Sequence, residues 1–328
     1  MNRPLIIMTV WIGISCGGEP IGAPVQLTVP RGASVQEVVD TLVARGVVER
    51  APLFRAFVRL QRADRTIKAG IYQFRKGEGW SGIVDALSRG RVVTVPMTVP
   101  EGWTLALMVP RIAGVTGLSE NTVRLSLLAD SLAERWQVPG PGLEGYLFPD
   151  TYRFTPGTSL TVVLRTMTDR YRSFWNPERR QSLEEIGISE REAVTLASIV
   201  QAEARHWDEM PTIAAVYLNR VRRRYPLQAD PTVLYALGGP RERLLFAAID
   251  SVADHPYNTY TQPGIPPGPI GSPGDAALQA VLNPREVDYL YFVARPDGSH
   301  VFTRTLAEHN RAKALARLAW DSVRAGAP

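Results

Sequence analysis

The chain has 328 residues, 45% hydrophobic and 21% charged, which excludes a disordered protein and allows two domains. Its 37 Lys and Arg against 32 Asp and Glu give a net charge of +5, which favours an anionic partner such as nucleic acid, a lipid surface or an acidic polymer. The only dense basic run, Arg220–Arg224, has no interleaved aromatic platform, and we expect no nucleic-acid partner.

Residues 1–23 have the features of an export signal or membrane anchor. The apolar run Leu5–Ile14 follows Arg3, and it has the length of a signal-peptide core but is short for a spanning helix. Cys16 is the only cysteine, and its place after this core resembles a bacterial lipoprotein attachment site. The alternative is an uncleaved anchor. Either reading predicts that the rest of the chain is extracytoplasmic and tethered to the inner membrane.

Residues 24–140 contain a strand, a glycine turn and a helix about three times over. The sequence Thr28–Gly32 is echoed at Thr98–Gly102, each after a strand-like stretch. Predicted elements in this region are the strands Val25–Val29, Gly70–Phe74 and Val92–Val99, and helices at Ser34–Gly46 (capped by Ser34 and Glu37), Pro52–Arg62 and Trp80–Ser88. Such units resemble LysM modules, which bind glycan chains; a structural spacer is the alternative.

Two consecutive Pro-Gly pairs at Pro139–Gly142 predict a domain junction, with a second domain over 141–328. The patterns there predict a short strand near Thr151–Phe154, several helices and a β-hairpin at Tyr289–Ala294 and His300–Arg304. We expect Asp230 to cap a helix that starts at Pro231, and Thr305 and Glu308 to cap the last helix.

One helix, Ser189–Ala204, carries an acid where an apolar residue is expected. Ser189 and Glu192 form a capping box, and apolar residues then recur at helical spacing. Glu203 lies seven residues after Leu196 and therefore projects from about the same face. A carboxylate there is paired, protonated or functional, because an unpaired buried charge is costly. Periodicity alone leaves open an acid that turns to water or pairs with an arginine.

Other kinds of catalytic site find little support in the residues. The four histidines show no metal-binding spacing, Cys16 lies in the export segment, and neither a nucleophile-elbow nor a phosphate-loop motif occurs. We expect no metal and no cofactor. Carboxylate chemistry flanked by polar and aromatic loops remains, and it suits a site that cleaves glycans.

Several ordered motifs of the second domain resemble the YceG-like (MltG) family of endolytic murein transglycosylases. They cover Leu143 to about Leu318 and include L-E-G-Y-L-F-P-D-T-Y, L-A-S-I-V-x-x-E, V-Y-L-N-R, L-Q-A-D-P-T-V-L-Y, Y-N-T-Y and G-I-P-P-G-P-I-x-S-P-G. The resemblance implies an α+β fold, in which the LysM-like α/β modules precede a mainly helical lysozyme- or Slt-like catalytic domain with a β-hairpin.

The resemblance also implies an activity, which is cleavage of the β-1,4 bond between N-acetylmuramic acid and N-acetylglucosamine inside a peptidoglycan strand. One glutamate acts first as general acid and then as general base, and the product has a 1,6-anhydro end. At the position of the family's E-x-E pair this chain has Gln201 and Glu203, so Glu203 is the catalytic candidate. The partners it implies are glycan strands, the membrane and the wall-synthesis machinery.

The remaining candidate residues belong to loops of the same domain. We expect substrate contacts from Asn258, Tyr260, Gln228, Glu144 and Asp230, although Asp230 also suits a helix cap. Tyr146, Phe148 and Tyr152 are better explained as core residues than as sugar platforms. Two alternative functions stay open: a hydrolase in which Asp230 or Glu144 assists a water molecule, and a non-catalytic wall-binding protein.

Overall fold

A computed structural model describes residues 21–128, 132–241 and 244–326. Cys16 and most of the predicted export segment therefore lie outside the described residues. The fold mixes helices with small two-stranded sheets, as the α+β prediction requires. The chain divides into two compact units, one of the described residues up to Val95 with Arg153–Pro156, the other of Pro96–Tyr152 and the chain from Gly157. The predicted division at residue 140 concerns functional modules and stays a prediction.

The first unit consists of an antiparallel pair of strands and three helices. Its elements are β1 (Ile21–Val29), α1 (Val35–Ala44), α2 (Ala51–Leu60), β2 (Gly70–Lys76) and α3 (Trp80–Arg89). Strands β1 and β2 are antiparallel, and α1 begins with the predicted capping box of Ser34 and Glu37. The inward side chains of the two strands and of all three helices form one apolar core.

The second unit is mainly helical. Most residues of β3 (Val95–Val99) and of its partner strand β4 (Asp150–Phe154) belong to this unit. The helices before the candidate site are α4 (Leu105–Thr116), α5 (Glu120–Leu127), α6 (Leu132–Arg135), α7 (Leu160–Phe174) and α8 (Pro177–Ile186). Tyr146, Phe148 and Tyr152 are buried in this unit, which confirms that they are core residues. Among the described residues, no helix combines the length and the apolar character that a membrane crossing requires.

Helix α9 (Glu190–Glu203) is packed against four other helices of this unit. They are α8, α10 (Met210–Arg222), α11 (Asp230–Ala236) and α13 (Asp275–Leu282). Helix α12 (Phe246–Asp250) has five residues. The chain ends with the antiparallel hairpin of β5 (Tyr291–Ala294) and β6 (His300–Thr303), followed by α14 (Leu306–Gly326). The hairpin and the capping of the last helix by Thr305 and Glu308 were both predicted.

Two local predictions about this chain were wrong. The strand predicted from Val92 begins only at Val95, because the peptide N–H of Val93 already donates to Ile71 in another pairing. Asp230 does not cap α11: Ala229 is the N-cap residue, and the side chain of Asp230, in the first turn, accepts a hydrogen bond from Tyr260 instead.

Candidate active site

Glu203 is the last residue of α9, and the residue as a whole is half-buried. The capping box of Ser189 and Glu192 fixes the start of this helix, and its middle, from Ala193 to Val200, is buried throughout. The hydroxyl of Tyr217 donates a hydrogen bond of 2.8 Å to Oε1 of Glu203. Glu203 therefore has a neutral hydrogen-bond donor and no ion pair of its own among the described residues.

Burial raises the pKa of Glu203 to about 7. The hydrogen bond from Tyr217 and the charge of Arg220 oppose this rise in pKa, while the negative charge of Asp230 adds to it. The position of Glu203 at the carboxyl end of α9 also raises its pKa, since the helix dipole is negative there. Near neutral pH the carboxyl group is therefore divided between its protonated and ionised forms, as a general acid and base requires.

Tyr217 and Arg220 act on Glu203 and were not singled out from the sequence. Both are buried on α10 and lie three residues apart, so they share a face of that helix. Arg220 donates to the backbone carbonyls of Leu290 (2.7 Å) and Leu227 (2.5 Å), which fixes its charge near Glu203. The available indication was the V-Y-L-N-R motif, because a buried Tyr hydroxyl requires a partner.

Asp230 and Tyr260 form a second polar pair in this region. The hydroxyl of Tyr260 donates to Oδ1 of Asp230, and burial of Tyr260 together with this carboxylate raises the pKa of the phenol. Gln228 is exposed, has a positive φ of 45°, and its backbone N–H donates to the carbonyl of Thr259. The structure thus joins three of the predicted residues, Asp230, Tyr260 and Gln228, in one loop cluster.

Asn258 is fully buried and does not share this arrangement. Its side-chain amide donates to the carbonyls of Ile249 (2.9 Å) and Val252 (3.1 Å), and its Oδ1 accepts from the N–H of Tyr260 (3.1 Å). All the polar atoms of this side chain are used within the protein. We therefore assign Asn258 to the loop that positions Tyr260, and we do not carry it further as a sugar contact.

Glu144 lies elsewhere in the second unit, where its carboxylate binds the first backbone N–H of α4. The N–H of Leu105 donates to both carboxylate oxygens, at 3.1 and 3.3 Å, and the hydroxyl of Tyr235 approaches at 3.4 Å. Burial raises the pKa of Glu144 to about 7, although these hydrogen bonds oppose the rise. None of the groups that shift its pKa belongs to the Glu203 cluster.

Gln201 has a structural partner that explains an amide two residues before the candidate acid. Its Oε1 accepts a hydrogen bond of 3.0 Å from the N–H of Gly274, at the start of α13. The carboxylate of Glu101 lies beside the same glycine. A neutral side chain at position 201 thus holds the loop before α13 without placing a second negative charge near Glu101.

A carboxyl group of raised pKa beside a tyrosine hydroxyl has the properties that general acid–base chemistry needs. Among the described residues, no group of three or more metal-ligating side chains occurs. Comparison with known proteins identifies the family of this chain. The family model described as the YceG-like family matches residues 27–315, so the chain belongs to the YceG-like family.

Curated relatives carry one name. The chain is 33% identical to the endolytic murein transglycosylase of Bacillus subtilis strain 168, over 88% of this chain and 84% of that protein. It is 27% identical to the endolytic murein transglycosylase of Streptococcus pneumoniae serotype 2, over 88% of this chain but only 57% of that longer protein. A crystal structure of a yceG-like protein from Listeria monocytogenes is similar, with 30% identity, a TM-score of 0.60, and coverage of 88% of this chain and 98% of that one.

Proposed function

We propose that this chain is a lytic transglycosylase that cuts peptidoglycan strands, with Glu203 as its catalytic residue. The observation that supports this most directly is the carboxyl group of Glu203, held by Tyr217 and with a pKa raised to about 7. The names of the relatives in the same family support the substrate class.

In the first step, protonated Glu203 gives its proton to the glycosidic oxygen that leaves with N-acetylglucosamine. The bond between this oxygen and C1 of N-acetylmuramic acid breaks, and positive charge develops at C1. Since Tyr217 donates to Oε1, the other oxygen of the carboxyl group is available to carry the transferred proton. Glu203 ends this step as a carboxylate, which the hydrogen bond from Tyr217 and the charge of Arg220 stabilise.

In the second step, the carboxylate of Glu203 removes the proton of the muramic C6 hydroxyl, and O6 forms a bond to C1. The product is a 1,6-anhydro ring, no water is consumed, and Glu203 is protonated again. A single group performs both transfers, so its pKa must lie close to the working pH. A value of about 7 satisfies that condition.

The test replaces Glu203 by Gln, which keeps the shape of the side chain and an oxygen that accepts from Tyr217. We expect Glu203→Gln to abolish fragment release from purified glycan strands, with an unchanged circular dichroism spectrum. The matched control is Glu184→Gln, because Glu184 is an exposed glutamate on α8. Normal strand turnover by Glu203→Gln would refute the assignment.

A hydrolase is the second candidate, and the proximity of Asp230 favours it. The charge of Asp230 reaches Glu203 strongly enough to raise its pKa, so a second carboxylate is present near the acid. Such a carboxylate can activate water in ordinary glycosidases. Mass spectrometry separates the two reactions: 1,6-anhydro ends support the transglycosylase, and reducing ends heavier by one water support the hydrolase with Asp230→Asn inactive.

We also propose the organisation that accompanies this activity. Residues 24–140 are a LysM-like glycan-binding region, residues 141–328 are the Slt-like catalytic domain, and residues 1–23 tether the protein to the inner membrane beside the wall-synthesis machinery. The α/β character of the first unit supports the first assignment. Labelling with a fatty-acid analogue, lost in Cys16→Ser, tests a lipid anchor; equal labelling of both forms excludes attachment at Cys16.

A further inference from the structure

A cavity of about 410 Å³ opens beside the start of α4, and the side chains of Glu203, Tyr217 and Arg220 do not line it. We call it the tyrosine cavity, and we define it by Tyr235, Tyr257, Glu144 and Arg124 together with apolar side chains of α4 and α5. Its volume is within the range of about 300–1,000 Å³ that is usual for ligand sites. The proposed reaction at Glu203 makes no use of it.

Three separate motifs meet in this cavity. Glu144 comes from L-E-G-Y, Tyr235 from the end of D-P-T-V-L-Y, and Tyr257 from the start of Y-N-T-Y. The two tyrosine rings lie 4.9 Å apart at an angle of 46°. The backbone next to Glu144 is closely packed, because Gly145 has φ +81° and a Cβ there would meet Pro269 at 2.3 Å. The site is therefore held by the fold and does not depend on one flexible loop.

The lining fits a ligand with polar edges and a small apolar group. The rings of Tyr235 and Tyr257 offer flat surfaces with hydroxyl groups at their rims, and Glu144 offers a carboxyl group for hydrogen bonds. Leu105, Val109 and Leu127 form an apolar wall. A pyranose ring packs its C–H face on aromatic rings and directs its hydroxyl groups at such polar groups, and the methyl of an acetamido substituent fits the apolar wall.

Helix α11 connects the tyrosine cavity to the catalytic region. Asp230, whose charge acts on Glu203, is its first residue, and Tyr235 lies five residues later. At 1.5 Å per residue these positions are about 7.5 Å apart along the helix axis. We propose that the tyrosine cavity binds an N-acetylated amino sugar of the same glycan strand that is cut at Glu203. This inference rests on the proposed function, and it names a second sugar-binding site for it.

The test measures binding without cleavage. It uses the full chain carrying Glu203→Gln and titrates it by calorimetry with an oligomer of β-1,4-linked N-acetylglucosamine. We expect Tyr235→Leu and Tyr257→Leu each to raise the Kd by about tenfold, because each removes an aromatic contact with the sugar. Tyr225→Leu, at a tyrosine that is 44% exposed and outside the cavity, is the control and should bind as the parent does.

A second pair of variants keeps the test valid if the tyrosine variants fail to fold. Ala106 and Leu107 are neighbouring exposed residues in the first turn of α4, but only Ala106 lines the cavity. Ala106→Arg should raise the Kd of the cavity for the oligomer by tenfold or more, and Leu107→Arg, which adds the same side chain one position away, should leave that Kd unchanged.

Equal binding by Ala106→Arg and Leu107→Arg would overturn the proposal. The absence of oligomer binding by the Glu203→Gln protein would also overturn the proposal. Binding of a free peptide from peptidoglycan in place of the sugar oligomer would not rescue it. Failure of the proposed function is seen in a different experiment. In that case Glu203→Gln would still release fragments from glycan strands, whatever the titration shows.

Discussion

Glu203 differs from the other acids of α9 in its relation to the helix. Glu190 and Glu192 lie in the first turn, where the positive end of the helix dipole favours negative charge. Glu203 lies at the opposite end, half-buried, and its pKa is raised to about 7. The fold thus disfavours the ionised form that the proposed second step needs, which is a stability cost accepted at a functional site.

This cost makes a prediction about stability and pH. A carboxyl group with a folded pKa near 7 and an unfolded value near 4.5 lowers stability progressively as pH rises from about 4.5 through 7. Glu203→Gln should therefore raise the free energy of unfolding at pH 8 by up to about 3 kcal/mol and change it little at pH 4. Urea denaturation at both pH values measures this. A variant that is stabilised equally at pH 4, or destabilised at pH 8, would contradict the environment described for Glu203.

A second prediction concerns the hydroxyl of Tyr217. Its hydrogen bond stabilises the carboxylate of Glu203, so Tyr217→Phe should raise the pKa of Glu203 further. The basic limb of the kcat/KM profile, which reports the acid of the free enzyme, should move to higher pH. The maximal rate should fall roughly tenfold or more, because a hydrogen bond to a charged group contributes about 1.5–3 kcal/mol. Tyr225→Phe is the exposed control. A lower rate with an unmoved pH profile would make Tyr217 only a packing residue.

The sequence identified Glu203 as the candidate acid but not the residues that tune it. Glu203 stood out because an acid interrupted an apolar pattern within one helix, and the resemblance to the YceG-like family then made it the catalytic candidate. Tyr217 and Arg220 interact with it from another helix, and periodicity along one element carries no information about which helices meet. The same limit affected Asn258, because a polar residue in a loop can face either the solvent or the carbonyl groups of its own loop.

Among the elements, helices with an N-terminal cap and an apolar face were predictable, and α1 and α9 both begin with the capping boxes expected of them. Helix α8 was not predicted. Only Leu183 of its ten residues is buried, so it has no apolar stripe that a periodic search could find. Its start nevertheless has ordinary chemistry, since Asn176 caps it and Pro177 follows.

Thr259 connects its own loop to the start of α11, next to the candidate site. Its hydroxyl accepts from the N–H of Ala229 at 2.9 Å and lies 2.9 Å from the hydroxyl of Thr232, all in buried surroundings. Thr259→Val keeps the shape but leaves the N–H of Ala229 without its acceptor. We expect a loss of about 1–3 kcal/mol in the free energy of unfolding. Thr261→Val, at an exposed neighbour, should cost less than about 1 kcal/mol. Equal losses in the two variants would show that Thr259 is not the connecting group.

At the scale of the whole molecule, the first unit has a core of its own. Its buried side chains run from Leu27 to Leu87 and come from both strands and all three helices. The local patterns predicted the strands and helices of this unit. Its contacts run to Val95 and include Arg153–Pro156, whereas the junction predicted at the Pro-Gly pairs near residue 140 concerns functional modules and stays a prediction. Pro and Gly report the local backbone, and the limit of a compact unit depends on contacts between distant segments.

The separate core allows glycan retention and catalysis to be tested apart. Phe54 is fully buried in the first unit, with its ring against Trp80 at 5.5 Å, so Phe54→Ala should cost about 3–5 kcal/mol there. A loss of that size is comparable to the whole stability of a small domain. We expect reduced retention on insoluble peptidoglycan but near-normal turnover of short soluble strands by Glu203. Leu53→Ala, at an adjacent side chain that is 53% exposed, is the control and should change neither. Turnover lost in proportion to retention would mean that the catalytic site requires an intact first unit, and the glycan-binding assignment of residues 24–140 would lose its support.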